Sequence, residues 1–194
     1  NALQKCKVIS RYGIGYDNVD VAAAAAKEIP VCNVPDYCVD ETVEHAIALM
    51  FACLRRVPTI DNLVRSGGWN SNTELKVLKL KGKTLGIVGL GTIGRELARR
   101  CESLGFSSIL YTNQSGNRPK NIPDIAKLTN LNTLLENSDI ISIHVPLSES
   151  TKGLIGKNEF GRMKEEAILI NTARGGIIDE KALGEALTER SIYA

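Results

Sequence analysis

The run Gly89-Leu90-Gly91-Thr92-Ile93-Gly94 constrains this chain more than any other feature. It follows the apolar stretch Leu85 to Val88. It opens a segment whose apolar residues, Ile93, Leu97, Ala98, Cys101 and Leu104, recur at helical spacing. Alone, Gly-x-Gly-x-x-Gly is a weak signal; between a buried strand and an amphipathic helix it is a strong one. In that setting the first glycine permits a tight turn, the second lets the backbone approach a pyrophosphate, and the third lets helix and strand pack closely. The helix N-terminus then presents unpaired N–H groups and the positive end of its dipole to the anion. Gly89, Gly91, Thr92, Ile93 and Gly94 are therefore candidate dinucleotide-binding residues. The alternative is a tight turn in an α/β protein with no ligand.

The rest of the pattern agrees with such a setting. Lys7 to Ser10 reads as a short strand, Val21 to Lys27 as a helix capped by Asp20, and Val31 to Val34 as a strand after Pro30. A long helix is predicted from near Asp40, with Val43, Ile47, Met50, Phe51 and Leu54 as its apolar stripe and Pro58 kinking or ending it. Gly67-Gly68 closes the helical segment that follows, and Trp69 to Leu80 reads as a loop. Beyond Lys83, strands at Leu85 to Val88, Ser108 to Tyr111, Ile140 to Val145 and Ala167 to Asn171 alternate with helices. Those helices are expected around Ile93 to Leu104, at Leu131 to Asn137, Lys157 to Met163 and Glu180 to Glu189. This alternation predicts an α/β fold, a Rossmann-type doubly wound parallel sheet covered on both faces.

Two further positions carry chemistry. An NAD-preferring site places Asp or Glu about 20 residues after the glycines, against the ribose 2′-hydroxyl. Here the second strand runs into Tyr111-Thr112-Asn113-Gln114-Ser115, with no carboxylate, and Arg118 and Lys120 lie on the same loop. Thr112, Asn113, Gln114 and Ser115 are candidate cofactor contacts, and the missing acid favours NADP over NAD or use of both. A direct contact of Thr112 and Asn113 with an NAD ribose is the competing possibility. Arg174, in Asn171-Thr172-Ala173-Arg174-Gly175-Gly176, follows the last strand. Ligands bind outside the carboxyl ends of parallel strands, and a guanidinium there can hold a carboxylate bidentately at any working pH.

Composition narrows the field. With 24 basic and 22 acidic residues, the net charge of +2 speaks against a nucleic-acid partner or a membrane surface. No run approaches the roughly 18 apolar residues of a membrane span. The first residues show no charged stretch followed by an apolar core, so no signal peptide is expected and the protein is placed in the cytoplasm. Cys6, Cys32, Cys38, Cys53 and Cys101 contain no Cys-x-x-Cys pair. They read as small buried hydrophobes of a reducing compartment rather than a disulfide framework or metal site. The chain starts without Met and reads as a piece of a longer protein.

Several stretches together resemble one family. They are Gly13-Ile14-Gly15-Tyr16-Asp17-Asn18-Val19-Asp20, Asn33-Val34-Pro35, Gly68-Trp69, Gly82 to Gly94, His144-Val145-Pro146-Leu147 and Ile170 to Asp179. In this order they are similar to the D-isomer-specific 2-hydroxyacid dehydrogenases, which include glyoxylate/hydroxypyruvate reductases and D-3-phosphoglycerate dehydrogenases. The resemblance implies a partial flavodoxin-like substrate domain at 1–35 and a Rossmann domain at 36–194, cut short at its C-terminal end. It implies that Arg174 binds the substrate carboxylate and helps polarise the carbonyl, and that the backbone of Ile14 and Gly15 faces the substrate. Thr92 and Ile93 would lie under the pyrophosphate, and Val145, Pro146 and Thr172 along the cofactor toward the nicotinamide. The helix from near Asp40 would form much of a homodimer interface. The family also uses a Glu–His acid/base pair far downstream of the arginine, whereas this chain ends 20 residues past Arg174. Its two histidines, His45 and His144, both precede that arginine. His144 is expected to shape the cofactor site rather than to donate a proton.

The function expected is hydride transfer between NAD(P)H and a small 2-oxo acid. The substrate would suit a glyoxylate/hydroxypyruvate reductase or a D-3-phosphoglycerate dehydrogenase-like enzyme. A non-catalytic, dinucleotide-sensing co-repressor module is the competing class. A nucleotide-binding Rossmann protein of another kind, such as a methyltransferase, is disfavoured by Arg174 and its flanking glycines.

Overall fold

The computed structural model describes residues 5–69, 75–189 and 191–194. The chain divides into two units, Asn1–Glu41 and Thr42–Ala194. The first holds a strand–helix–strand motif: β1 (Ile9–Ser10), α1 (Val21–Ala25) and β2 (Val31–Cys32), with β1 and β2 parallel. Asp20 caps α1 by accepting a hydrogen bond from the Ala23 N–H at 2.8 Å.

The second unit begins within α2 (Val39–Leu54). The side of α2 that packs into the core is Val43, Ala46, Met50 and Leu54. This corrects the expected stripe: Ile47 is only partly buried and Phe51 is 38% exposed. The helix also ends before Pro58 can break it. Arg56 takes a left-handed conformation (φ 54°), and Pro58 sits in the first turn of a new helix, α3 (Val57–Arg65), where its missing N–H costs nothing. The expected loop Trp69 to Leu80 falls partly outside the described residues. In 75–80 the chain is irregular, as expected, but it buries Leu78 and Leu80.

Next come β3 (Thr84–Val88), α4 (Thr92–Cys101), β4 (Ser108–Thr112), β5 (Ala126–Leu128), α5 (Leu131–Asn137), β6 (Ile140–Ile143), α6 (Lys157–Phe160), β7 (Ile168–Asn171) and α7 (Glu180–Thr188). The five strands β3 to β7 form a parallel sheet in the order β5-β4-β3-β6-β7. One face carries Leu85, Ile87, Ile109, Tyr111, Ile140, Ile168 and Ile170 against α2 and α4. The other carries Val88, Ile141 and Ile143 against α5, α6 and α7. This is the doubly wound Rossmann sheet that the alternation of elements predicts. β5 has no counterpart in the sequence reading. It is three residues at the sheet edge, with only Ala126 buried, and too short to show a period.

The cysteines are all free thiols, but only Cys101 is fully buried and Cys32 is exposed, which corrects the uniform reading of them as core residues. Desolvation pushes the Cys101 thiol up to about 12, so it behaves as an inert core side chain. Among the described residues, no helix is long and apolar enough to cross a membrane.

Candidate dinucleotide and substrate site

Four parallel strands end on one row. Val88 pairs with Thr112 on one side and with Ile143 on the other, and Ile143 pairs with Asn171. The next residues, Gly89, Asn113, His144 and Thr172, therefore leave the sheet side by side at its C-terminal edge. The strand order reverses between β3 and β6, and in open α/β sheets ligands bind outside such a reversal.

The three glycines of the loop are held differently. Gly89 has φ +96°, and a Cβ there would lie 2.6 Å from Val145 Cγ1 and 2.9 Å from the His144 carbonyl oxygen. The turn is thus nested against the end of β6. A Cβ on Gly94 would lie 2.3 Å from the Gly89 carbonyl oxygen, so α4 packs directly on the turn. Gly91 is neither strained nor crowded. Its φ of −75° and ψ of −158° suit any residue, and a Cβ there would meet nothing within 4 Å among the described residues. The protein itself does not require glycine at that position. The open cradle beside its backbone has room for a pyrophosphate. The Arg95 N–H bonds the Gly91 carbonyl at 3.0 Å, so the N–H groups of Thr92, Ile93 and Gly94 precede the first full turn. No acidic residue lies in that turn of α4 to compete with an anion.

Thr112 closes the loop from the β4 side. Its hydroxyl oxygen accepts from the Gly89 N–H at 3.3 Å and its carbonyl from the Leu90 N–H at 3.1 Å. Asn113 donates its side-chain N–H to the Asn117 carbonyl at 2.6 Å, and the Asn117 N–H reaches Ser115 Oγ at 3.4 Å. Gln114 and Ser115 are exposed. Arg118 is engaged within the protein. It donates from Nη1 to the Ala126 carbonyl at 2.6 Å and from Nη2 to the Pro123 carbonyl at 3.0 Å. Asn113 Oδ1 and Thr172 Oγ1 are buried without a hydrogen-bond partner among the described residues. Both belong to residues that leave the sheet at its C-terminal edge, where an ordered partner is otherwise missing.

At the end of β6, His144 Nε2 and Ser142 Oγ are 2.8 Å apart. Desolvation lowers the His144 imidazole to about 4, so it is neutral at neutral pH and carries no readily donated ring proton. The backbone N–H of His144 donates to the Val88 carbonyl at 2.8 Å. Past Val145, the chain around Pro146 is tied by a hydrogen bond from the Thr151 hydroxyl to the Pro146 carbonyl.

After β7 the arginine turn is organised by Asn171. Its Oδ1 accepts from the Ala173 N–H at 3.0 Å and its Nδ2 donates to the Arg174 carbonyl at 2.8 Å. Arg174 is extended (φ −148°, ψ 142°) and exposed, and Nη1 donates to the Ala173 carbonyl at 2.8 Å. Gly175–Ile177 then forms a 3-10 turn whose Gly176 carbonyl accepts from the Gly153 N–H at 2.9 Å.

Residues 47–194 match the family model described as D-isomer specific 2-hydroxyacid dehydrogenase, NAD binding domain. The chain belongs to this family. It is 42% identical over 194 residues to the D-3-phosphoglycerate dehydrogenase of Archaeoglobus fulgidus, covering 100% of this chain and 36% of that protein. It is 43% identical over 192 residues to the glyoxylate reductase of Thermococcus litoralis, covering 95% of this chain and 57% of that protein. It therefore spans between about a third and three fifths of the length of these relatives. Among solved structures, an acyclic imino acid reductase in complex with NADPH and D-Arg superposes with a TM-score of 0.88 at 31% identity, covering 97% of this chain and 60% of that one.

Within this family's NAD-binding domain, the row of strand ends brings together Gly89, Gly91, Thr92, Ile93, Gly94, Thr112, Asn113, Val145 and Thr172, with Arg174 three residues past β7. Ile14 and Gly15 lie in the first unit, where the Ile14 carbonyl accepts from Asn33 Nδ2 at 2.9 Å. Asn171 and Ser142 are not among the residues expected from sequence. Asn171 carried a signal, since Asn at a strand end tends to bond its own backbone two residues on. For Ser142 the signal was a lone hydroxyl in the otherwise apolar strand Ile140-Ile141-Ser142-Ile143.

Proposed function

We propose that this protein is an NAD(P)-dependent oxidoreductase that interconverts a small 2-oxo acid and a D-2-hydroxy acid, in the manner of a glyoxylate/hydroxypyruvate reductase. The reading rests chiefly on Arg174, which Asn171 sets beyond the same sheet edge that carries the open glycine loop. When bound, a reduced nicotinamide dinucleotide supplies a hydride. Gly89 makes the turn that brings the pyrophosphate against Gly91 and onto the backbone N–H groups of Thr92, Ile93 and Gly94. Thr112, Asn113, Gln114 and Ser115 take the adenosine ribose. Val145, Pro146 and Thr172 line the way to the nicotinamide.

Arg174 binds the substrate carboxylate and orients the neighbouring carbonyl. Its guanidinium is charged at every working pH and its planar fork matches a carboxylate. Ile14 and Gly15 are assigned to the same substrate on the family resemblance. The neutral His144 is not assigned the proton transfer. With no acid at Thr112 to repel a 2′-phosphate, a modest preference for NADPH is proposed. Dimerisation through α2, with Phe51 exposed on its surface, and residence in the cytoplasm complete the proposal.

The test is steady-state reduction of glyoxylate and hydroxypyruvate by the full-length protein, with Arg174→Lys as the control. A retained point charge without the fork should lower kcat/KM by about a hundredfold. Wild-type protein inert toward 2-oxo acids with either cofactor would overturn the reading.

A further inference from the structure

Arg118 and Lys120 are the two cations of the loop that follows Thr112, and by sequence they are equivalent candidates for a 2′-phosphate. Their surroundings separate them. The loop first closes on itself through Asn113 Nδ2 to the Asn117 carbonyl and Asn117 N–H to Ser115 Oγ, with Gly116 at φ +66° in the turn. Arg118 then reaches forward to the Pro123 and Ala126 carbonyls, at 3.0 and 2.6 Å. Ala126 is the first residue of β5, which pairs with β4 alongside Ile109. The guanidinium therefore ties the loop to the strand on its far side. Asp124, 3.9 Å away and fully exposed, adds little. Lys120 is exposed, and no comparable bond among the described residues holds its ammonium group.

We propose that Arg118 is a positioning residue rather than a phosphate ligand, fixing the Asn113–Lys120 loop for the adenosine half of either dinucleotide and leaving Lys120 to discriminate NADPH from NADH. This rests on the dinucleotide reading above. A guanidinium with two nitrogens bonded to carbonyls loses both bonds if it turns to a phosphate, and the loop it holds would loosen as it did so. Losing Arg118 affects both cofactors alike, because the strut supports what they share. Losing Lys120 affects only the one with the extra charge.

The experiment measures the affinity of the full-length protein for NADPH, NADH and reduced nicotinamide mononucleotide, which lacks the adenosine half. Arg118→Ala, Arg118→Gln and Lys120→Ala are compared with wild type at two salt concentrations. Arg118→Ala should weaken NADPH and NADH by the same factor, about tenfold. It should leave mononucleotide binding unchanged, with Arg118→Gln between it and wild type. Lys120→Ala should weaken NADPH alone, by about threefold, and the difference should shrink at high salt. A loss confined to NADPH in Arg118→Ala would make Arg118 a phosphate ligand and overturn the proposal. So would no loss at all, or an equal loss of mononucleotide binding. Wild-type protein that binds neither dinucleotide would instead remove the reading on which the proposal stands.

Discussion

The glycine loop and the segment after β4 lie side by side on one sheet edge, yet they present polar groups by opposite means. In Gly89–Gly94 the groups on offer are the backbone N–H donors of Thr92, Ile93 and Gly94, beside the open space left by the missing side chain of Gly91. In Thr112–Lys120 the useful groups are side chains, and several are engaged within the protein: Thr112 on the Gly89 N–H, Asn113 on the Asn117 carbonyl, Arg118 on the Pro123 and Ala126 carbonyls. A backbone site can be read from the spacing of residues that lack a Cβ. A side-chain site can be read only once it is known which side chains the fold has already used.

The sharpest test of the first half sets two glycines against each other. Gly94→Ala puts a Cβ 2.3 Å from a backbone oxygen that cannot retreat without moving the turn. It should destabilise the fold by about 3 kcal/mol in a chemical denaturation series. Gly91→Val should leave stability within about 0.5 kcal/mol, since the space is open, and should weaken dinucleotide binding by at least about a hundredfold by calorimetric titration. If Gly91→Val binds as tightly as wild type, the pyrophosphate does not lie where the loop is open, and the contrast between the two glycines loses its meaning.

The wall behind the loop is sensitive to acid. In the unfolded chain His144 takes up a proton near its ordinary value of 6.5, whereas in the fold it does so only near 4. Between these values the unfolded state binds the proton and the folded state does not. Stability is therefore full above about pH 6.5 and falls as the pH drops toward 4, with a ceiling of about 3 kcal/mol for this group. Urea denaturation at pH 7 and 4.5 should show wild type losing about 2 kcal/mol more than His144→Gln. Equal losses would mean that the imidazole is protonated in place and that burial does not govern it.

The smallest expected effect probes the segment after β4. Thr112→Asp keeps an acceptor for the Gly89 N–H and adds the carboxylate that this position lacks. It should reverse the cofactor preference of the full-length enzyme, by about tenfold each way in kcat/KM at one salt concentration. A wild-type enzyme that already prefers NADH would show that the missing acid does not set the choice.

Elements longer than a few residues were legible where period and capping agreed. The helix read at Leu131 to Asn137 is α5 to the residue, because Asn130 caps it by accepting from the Thr133 N–H. Strands β3, β4, β6 and β7 were legible as apolar runs, although β4 extends one residue further and β6 stops two earlier than expected. The short edge strand β5 was not legible, because its structure comes from pairing with β4 rather than from its own residues.

By itself the sequence determined the alternation of strands and helices, the glycine turn between β3 and α4, and an arginine just beyond the last strand. These depend on periodicity, on missing side chains and on chain order, all of which are local. Tertiary structure alone decided that Ala46 rather than Phe51 lies on the buried side of α2, that His144 stays neutral beside Ser142, and that Arg118 is occupied by backbone carbonyls. A side chain's burial, charge state and hydrogen-bond partners are set by groups distant in sequence or by the path of the loop around it, and no periodicity encodes them.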